Sequence, residues 1–315
     1  MTRRALEVPG SPPVPNGRRR HYTAGMSRQQ GSADAAWIRS CVEDFVSRSP
    51  GNTLGLEEPE PAFDRPLVGF AAGDDPIWQQ CRDHIGDFYL TPSAIFQGAF
   101  LEAGIPPDEL TVVSWILPAT AATRREQAGQ SRYPSERWAR TRHYGELFNV
   151  ALRRHLVAEL AQRGIPSVAP LLSPAWHRSD EGPCAPCSTW SERHAAHAAG
   201  LGTFGLCDGL ITPVGKAHRT GSLIAGVKLP PSGRPYRDHR AYCLHFTHGT
   251  CGKCIPRCPV KALSAQGHDK RRCQEYTERA MNRHLKAAYG IDNYACGLCQ
   301  AGVPCAGHVP APEEG

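Results

Sequence analysis

The run "CGKCIPRCPVKAL", Cys251 to Leu263, constrains this chain more than any other segment. Iron–sulfur clusters take thiolates from tight loops, and bacterial ferredoxins supply them as C-x2-C-x2-C-x3-C-P, the fourth cysteine ligating the other of two clusters. Cys251, Cys254 and Cys258 followed by Pro259 occupy the last three of those cysteine positions. Proline suits the first turn of a helix, where no N–H is needed. The first position falls on His248, and Cys243 lies five residues earlier. Thiolate is the commoner cluster ligand, which favours Cys243 over His248. A second run, "CGLCQAGVPC", adds Cys296, Cys299 and Cys305, and Cys273 is the eighth thiol of the region. Crossed ligation then groups Cys243, Cys251, Cys254 and Cys305 at one [4Fe–4S] cluster and Cys258, Cys273, Cys296 and Cys299 at the other. Structural zinc is the alternative. Zinc ribbons place their second cysteine pair about 15–20 residues on, whereas Cys254 and Cys296 lie much farther apart, and zinc leaves the Cys-Pro unexplained.

Thirteen cysteines in 315 residues suit metal chemistry better than disulfides if the chain is cytoplasmic. A cytoplasmic location is the expectation here, because no apolar run follows the paired arginines near the start and no stretch reaches membrane-span length. The formal charge of +6 resides almost wholly in the first thirty residues, in Arg3, Arg4, Arg18, Arg19, Arg20 and Arg28. Residues 1–31 read as a disordered basic tail, with Met26 a candidate start. The near-neutral remainder makes nucleic acid an improbable partner.

Residues 32–235 alternate apolar strand-like runs with helical segments, which argues an α/β sheet domain with flanking helices. "PLVGFAAG", "ELTVVSWILP" and "PSVAPLL" read as strands. Trp37, Ile38, Cys41, Val42 and Phe45 mark one face of a first helix, Thr91 and Pro92 start another, and a long helix ends at Gly164. Pro230, Pro231 and Pro235 separate this domain from a ferredoxin-like two-cluster module over residues 236–315.

Gly200, Gly202 and Gly205 form G-x-G-x-x-G, the spacing of a dinucleotide fingerprint. That fingerprint needs a strand before the turn and a helix after it. Here the order is reversed: "SERHAAHAA" reads as helix and "LCDGLITP" as a short strand ending at Pro213. No acidic residue stands about 20 positions on.

Together these segments resemble the epoxyqueuosine reductase family, whose wider relatives include cobalamin-dependent reductive dehalogenases. The resemblance runs from about residue 64 to 308. It is carried by "TVVSWILP", by "WARTRHYGELF" against the family's Y-A-x-G-R-D-Y-H, by "AAGLGTFGLCDGLI" against A-G-L-G-W-x-G-K, and by "RRCQEYT" at Cys273. It implies base-off cobalamin beside one cluster, with Gly200, Gly202 and Gly205 admitting the corrin. A ferredoxin or flavodoxin would supply electrons and a small organic molecule would be reduced. The chain departs from the family where a V-D-[ST]-x-P aspartate is expected: "SVAPLLSPAW" offers none. It also stops ten residues after Cys305, short of the helical repeats of tRNA-acting members. These departures point away from epoxyqueuosine itself as substrate. Two further readings stand beside the reductase: a dicluster electron carrier without cobalamin, and a tRNA-modifying enzyme.

By family position His143 and Tyr144 are the candidate catalytic pair, protonating or orienting substrate; packing on a long helix is the alternative. Glu192 and Arg193 either line the pocket or form an exposed first helical turn. Cys184 and Cys187 in "CAPC" are a possible redox pair. His194 and His197 read as packed or solvated.

Overall fold

The computed structural model describes residues 33–312; the basic tail and Met26 expected from the sequence lie outside them. Helix α1 (Ala35–Arg48) starts where the Asp34 carboxylate accepts from the Trp37 N–H at 2.7 Å, satisfying a donor that the helix leaves free. Its buried stripe is Ile38, Val42 and Val46. Trp37, Cys41 and Phe45, expected on the same face, flank it half-buried. Helices α2 (Ile77–Ile85) and α3 (Pro92–Ala99) follow the first strand, and Thr91 caps α3 with Pro92 in its first turn, as its sequence predicts. Two more helices, α4 (Ala121–Ala128) and the long α5 (Glu136–Gln162), precede the short α6 (Glu192–Ala198).

The sheet holds β1 (Leu67–Ala72), β2 (Thr111–Pro118), β3 (Ser167–Val168) and, after two hairpins, β8 (His218–Ala225). Its order is β1-β2-β8-β3, and every pairing is antiparallel. All eight residues of β2 are buried, since α1 and α5 cover one face of the sheet and α2, α3 and α6 the other. Gly221 of β8 sits opposite Trp115, where a Cβ would meet the indole at 2.4 Å. The indole N–H donates to Asn149 Oδ1 at 2.9 Å, and Asn149 in turn donates to the Thr220 carbonyl, so the large buried ring leaves no donor unsatisfied.

Two sequence expectations change. The strand expected over "PSVAPLL" is only Ser167–Val168, because Pro170 opens a 3-10 turn through Leu172. The helix–strand alternation does not build parallel units: β8, the central partner of β2, arrives after two hairpins. These are β4 (Arg178–Ser179) with β5 (Cys187–Ser188), and β6 (Thr203–Phe204) with β7 (Leu210–Ile211).

The cysteine-rich segment has little regular structure: α7 (Leu244–Thr247), the β9–β10 pair (Leu263–Ser264 with Gly267–His268), and α8 (Lys270–Glu275), which runs through a π-helical turn at Tyr276–Met281 into α9 (Asn282–Tyr289). It is sewn to the sheet domain through backbone. Phe204 N–H donates to the His239 carbonyl, Lys216 N–H to that of Cys305, and Gln127 Nε2 to that of Cys296. The Arg257 guanidinium adds bonds to the carbonyls of Gln127, Ala128 and Gln130 from α4 and its end, and to Leu298.

Candidate functional site

Cys243, Cys251, Cys254 and Cys305 line one small enclosed cavity together with Leu206, Ile211 and Lys216. Local structure explains the convergence. Cys243 precedes α7, whose turn returns the chain so that His245 Nδ1 bonds the Cys251 carbonyl at 3.0 Å. His248, the alternative first ligand, is exposed and bonds Thr247 Oγ1 at 2.7 Å; it does not line the cavity. The donor chemistry fits: four thiols around an apolar void suit a cubane whose thiolates are shielded from water.

The other four thiols form a looser set. Burial raises the Cys296 thiol to about 11, and Cys273 and Cys258 lie close enough to add to it. Cys299 is half-buried and faces a thiol outside either set, Cys207. Cys207, from the β6–β7 hairpin, accepts from Cys254 and from Cys299 and is held well below the usual thiol value by those bonds and by Lys216. It stands between the two groups of thiols, and sequence spacing had no means of placing it there. Lys216 Nζ donates to Cys207 Sγ at 3.3 Å.

The three fingerprint glycines lie between α6 and β7. A Cβ at Gly200, whose φ is +78°, would meet the Gly233 carbonyl at 2.3 Å, and one at Gly202 would meet the Ile211 carbonyl at 2.2 Å. A Cβ at Gly205 would meet Ile211 Cδ1 at 3.2 Å. At Gly202 the hairpin's own backbone fills the space the glycine leaves, and at Gly200 the Gly233 backbone does. His197 packs on the same corner, its Nδ1 2.7 Å from the Gly202 carbonyl and its ring stacked on Tyr236. His194 Nδ1 contacts Ser191 Oγ at 2.8 Å.

His143 and Tyr144 diverge from α5. His143 Nδ1 lies 3.3 Å from Asn293 Nδ2 in the cysteine-rich segment, and burial together with Arg142 and Arg140 pushes its pKa down. Tyr144 packs under Gly55, where a Cβ would meet its ring at 2.6 Å. One turn along the helix is a denser polar group that the sequence reading missed. Glu146 pairs with Arg142 at 3.6 Å, with Arg153 at 3.4 Å and with Arg219. Arg153, fully buried, also holds Glu192 at 3.1 Å, and Ser222 donates to the same carboxylate at 2.6 Å. Glu192 is thus a half-buried ion-pair residue rather than part of an exposed first turn, whereas Arg193 is exposed and donates to the Asp208 carbonyl. Burial opposes ionisation of Glu146, but the three guanidiniums outweigh it and hold its carboxyl low. Burial dominates at Glu192 and pushes it up. Arg142 also lies over the Tyr294 ring, 4.8 Å from its centre. The group carries more guanidinium than carboxylate, so it favours an anion.

Cys184 Sγ contacts the His84 ring at 3.3 Å, and Cys187 Sγ bonds the Glu181 carbonyl at 3.4 Å. The "CAPC" thiols therefore belong to the β4–β5 loop and not to either cysteine group.

No protein-family profile matches the chain. Over 119 residues it is 31% identical to an epoxyqueuosine reductase from Bacillus anthracis, a stretch covering 36% of this chain and 29% of that protein. Over that stretch the chain is similar to epoxyqueuosine reductase. It spans less than a third of this curated relative. Among solved structures, an epoxyqueuosine reductase from Bacillus subtilis aligns with 80% of this chain and 66% of its own at 16% identity, TM-score 0.39. A reductive dehalogenase in complex with 3-bromo-4-hydroxybenzoic acid aligns with 87% of this chain and 37% of its own at 14% identity, TM-score 0.49. A third, an epoxyqueuosine reductase with a tRNA stem loop, aligns with 85% and 66% at 15% identity, TM-score 0.39. The expectation that nucleic acid is no partner finds no support in these comparisons.

The likeness to epoxyqueuosine reductase brings the cobalamin expectation to a test of fit. At Gly200 and Gly202 a carbonyl of this chain occupies the place a Cβ would take, so the missing side chain serves packing within the chain itself. Four of the thiols, Cys243, Cys251, Cys254 and Cys305, by contrast, converge on one cavity. Among the described residues no helix is long and apolar enough to cross a membrane.

Proposed function

We propose that the chain is an iron–sulfur oxidoreductase whose residues 236–315 hold two [4Fe–4S] clusters and pass electrons toward the sheet domain. The observation that carries this reading is the convergence of Cys243, Cys251, Cys254 and Cys305 on one apolar cavity. Bound there, a cluster supplies one-electron transfer at low potential. Cys243 is the fourth ligand in place of His248, and Cys258, Cys273, Cys296 and Cys299 hold the second cluster. The protein's own residues then exclude water from the first site through Leu206 and Ile211 and fix its cysteine loops through Arg257. The Arg142, Glu146 and Arg219 group, beside the Tyr294 loop, would bind the acceptor, and its surplus of guanidinium selects an anionic one. A ferredoxin- or flavodoxin-class protein is the proposed electron donor. No step is assigned to cobalamin at the glycine hairpin.

The experiment is a reductive titration of anaerobically reconstituted protein, followed by electron paramagnetic resonance. Uptake of about two electrons per chain, with signals of reduced [4Fe–4S] centres, is expected for two one-electron clusters. Protein that takes up none has another function. The second reading, a dicluster electron carrier without cobalamin, is favoured by the close packing at Gly200 and Gly202. It is separated from the reductase by R219Q, which should slow turnover of an anionic acceptor and leave reduction by the donor unchanged.

A further inference from the structure

Lys216 is the most unusual charge in the molecule. Its residue is 3% exposed, and it lines the same cavity as Cys243, Cys251, Cys254 and Cys305. Among the described residues its ammonium forms no ion pair with a carboxylate. Its Nζ donates to Cys207 Sγ at 3.3 Å, with the Cys305 thiol close by. An ammonium taken out of water costs several kcal/mol unless an opposite charge repays it. Neutral thiols do not repay it, and the Cys207 sulfur, which accepts from Cys254, Cys299 and Lys216, offers at most one negative charge shared among three donors. A [4Fe–4S] cluster bound by four thiolates repays it, because in its oxidised form the assembly carries two negative charges and gains a third on reduction. The position is fixed, not incidental: Lys216 N–H donates to the Cys305 carbonyl at 3.0 Å, tying the lysine to a ligand's own backbone.

From this geometry we infer that Lys216 is the built-in counter-charge of the cluster held by Cys243, Cys251, Cys254 and Cys305, and that it makes this cluster the more easily reduced of the two. The inference rests on the cluster assignment proposed above. A fixed positive charge stabilises the extra electron of the reduced state, and net charge and hydrogen bonds to sulfur are among the factors that set cluster potentials. Electrons entering the protein then settle first beside the sheet domain. Lys216 acts through the cluster and is a positioning residue, not a catalytic one.

The test is a potentiometric titration, monitored by electron paramagnetic resonance, of full-length wild type, K216M and K216R, with iron counted in each. K216M should keep its iron and lose at least about tenfold in the reduced-to-oxidised ratio of one cluster at the wild-type midpoint, equivalent to about 59 mV for one electron. The other cluster should not move, and K216R should stay near wild type. K216M with full iron and two unmoved midpoints overturns the inference alone, whereas wild type without iron overturns the cluster reading as well. If K216M fails to hold iron, C207A decides. Both clusters retained, with both midpoints unmoved, supports the counter-charge. A lost cluster, or a midpoint raised because a negative sulfur beside it is gone, assigns the ammonium to the Cys207 thiolate instead.

Discussion

At the scale of single residues, the choice between Cys243 and His248 turns on where each side chain goes. Spacing points to His248 and ligand chemistry to Cys243; only the latter lines the cavity. C243S should therefore lose about half the iron of the wild type after anaerobic reconstitution, and H248A should lose none, as a colorimetric iron assay would read. Loss in H248A with none in C243S would return the ligand to His248. The glycines give a second case. A side chain at Gly202 would collide with the Ile211 carbonyl, so G202V should lower the melting temperature of the whole protein and impair cluster retention with it, rather than remove one ligand selectively. A variant of normal stability would contradict that packing. The convergence of Cys243, Cys251, Cys254 and Cys305 on one cavity was legible in sequence because ferredoxin spacing is rigid. Glu146, Arg153 and Cys207 were not, since their partners lie on other elements and no local spacing records them.

At the scale of elements, β2 and the long α5 were legible from an apolar run and from a long helical segment ended by Gly164. β8 was not read as a strand, because Gly221 and the polar residues His218 to Thr220 interrupt its apolar pattern. The structure shows what those residues do: Gly221 admits Trp115 and Arg219 reaches Glu146. Trp115 thus fixes the register of the sheet centre. W115A should cost about 3–5 kcal/mol in denaturant unfolding, whereas a loss under 1 kcal/mol would mean that the core collapses around the void. His218 on the same strand predicts a pH dependence. Burial, its largest influence, pushes it down to about 4; its Nε2 bonds the Leu210 carbonyl at 2.8 Å and its Nδ1 is buried without a partner among the described residues. Below the ordinary histidine pKa the unfolded chain binds a proton that the fold refuses, so stability should fall as pH drops from about 6.5 toward 4. H218Q should lose less stability than wild type across that window, measured by thermal unfolding. Parallel curves would show that His218 does not contribute.

At the scale of the whole molecule, the β6–β7 hairpin links the sheet domain to the cysteines. It brings Cys207 between the two thiol groups, is followed directly by Lys216, and is tied back through Phe204 to His239. The resemblance to epoxyqueuosine reductase marked this segment as important, but for a cofactor rather than for a junction. Reading the charge balance as a tail property also hid the buried guanidinium-rich group, because net charge averages away a local surplus. Both corrections follow from contacts between segments far apart in sequence. The two-cluster assignment now governs every functional statement about this chain, and its most direct test is a metal and sulfide count on full-length protein reconstituted anaerobically with iron, sulfide and zinc all available. About eight iron atoms and eight acid-labile sulfides per chain are expected for two cubanes. Stoichiometric zinc with negligible iron would contradict the account.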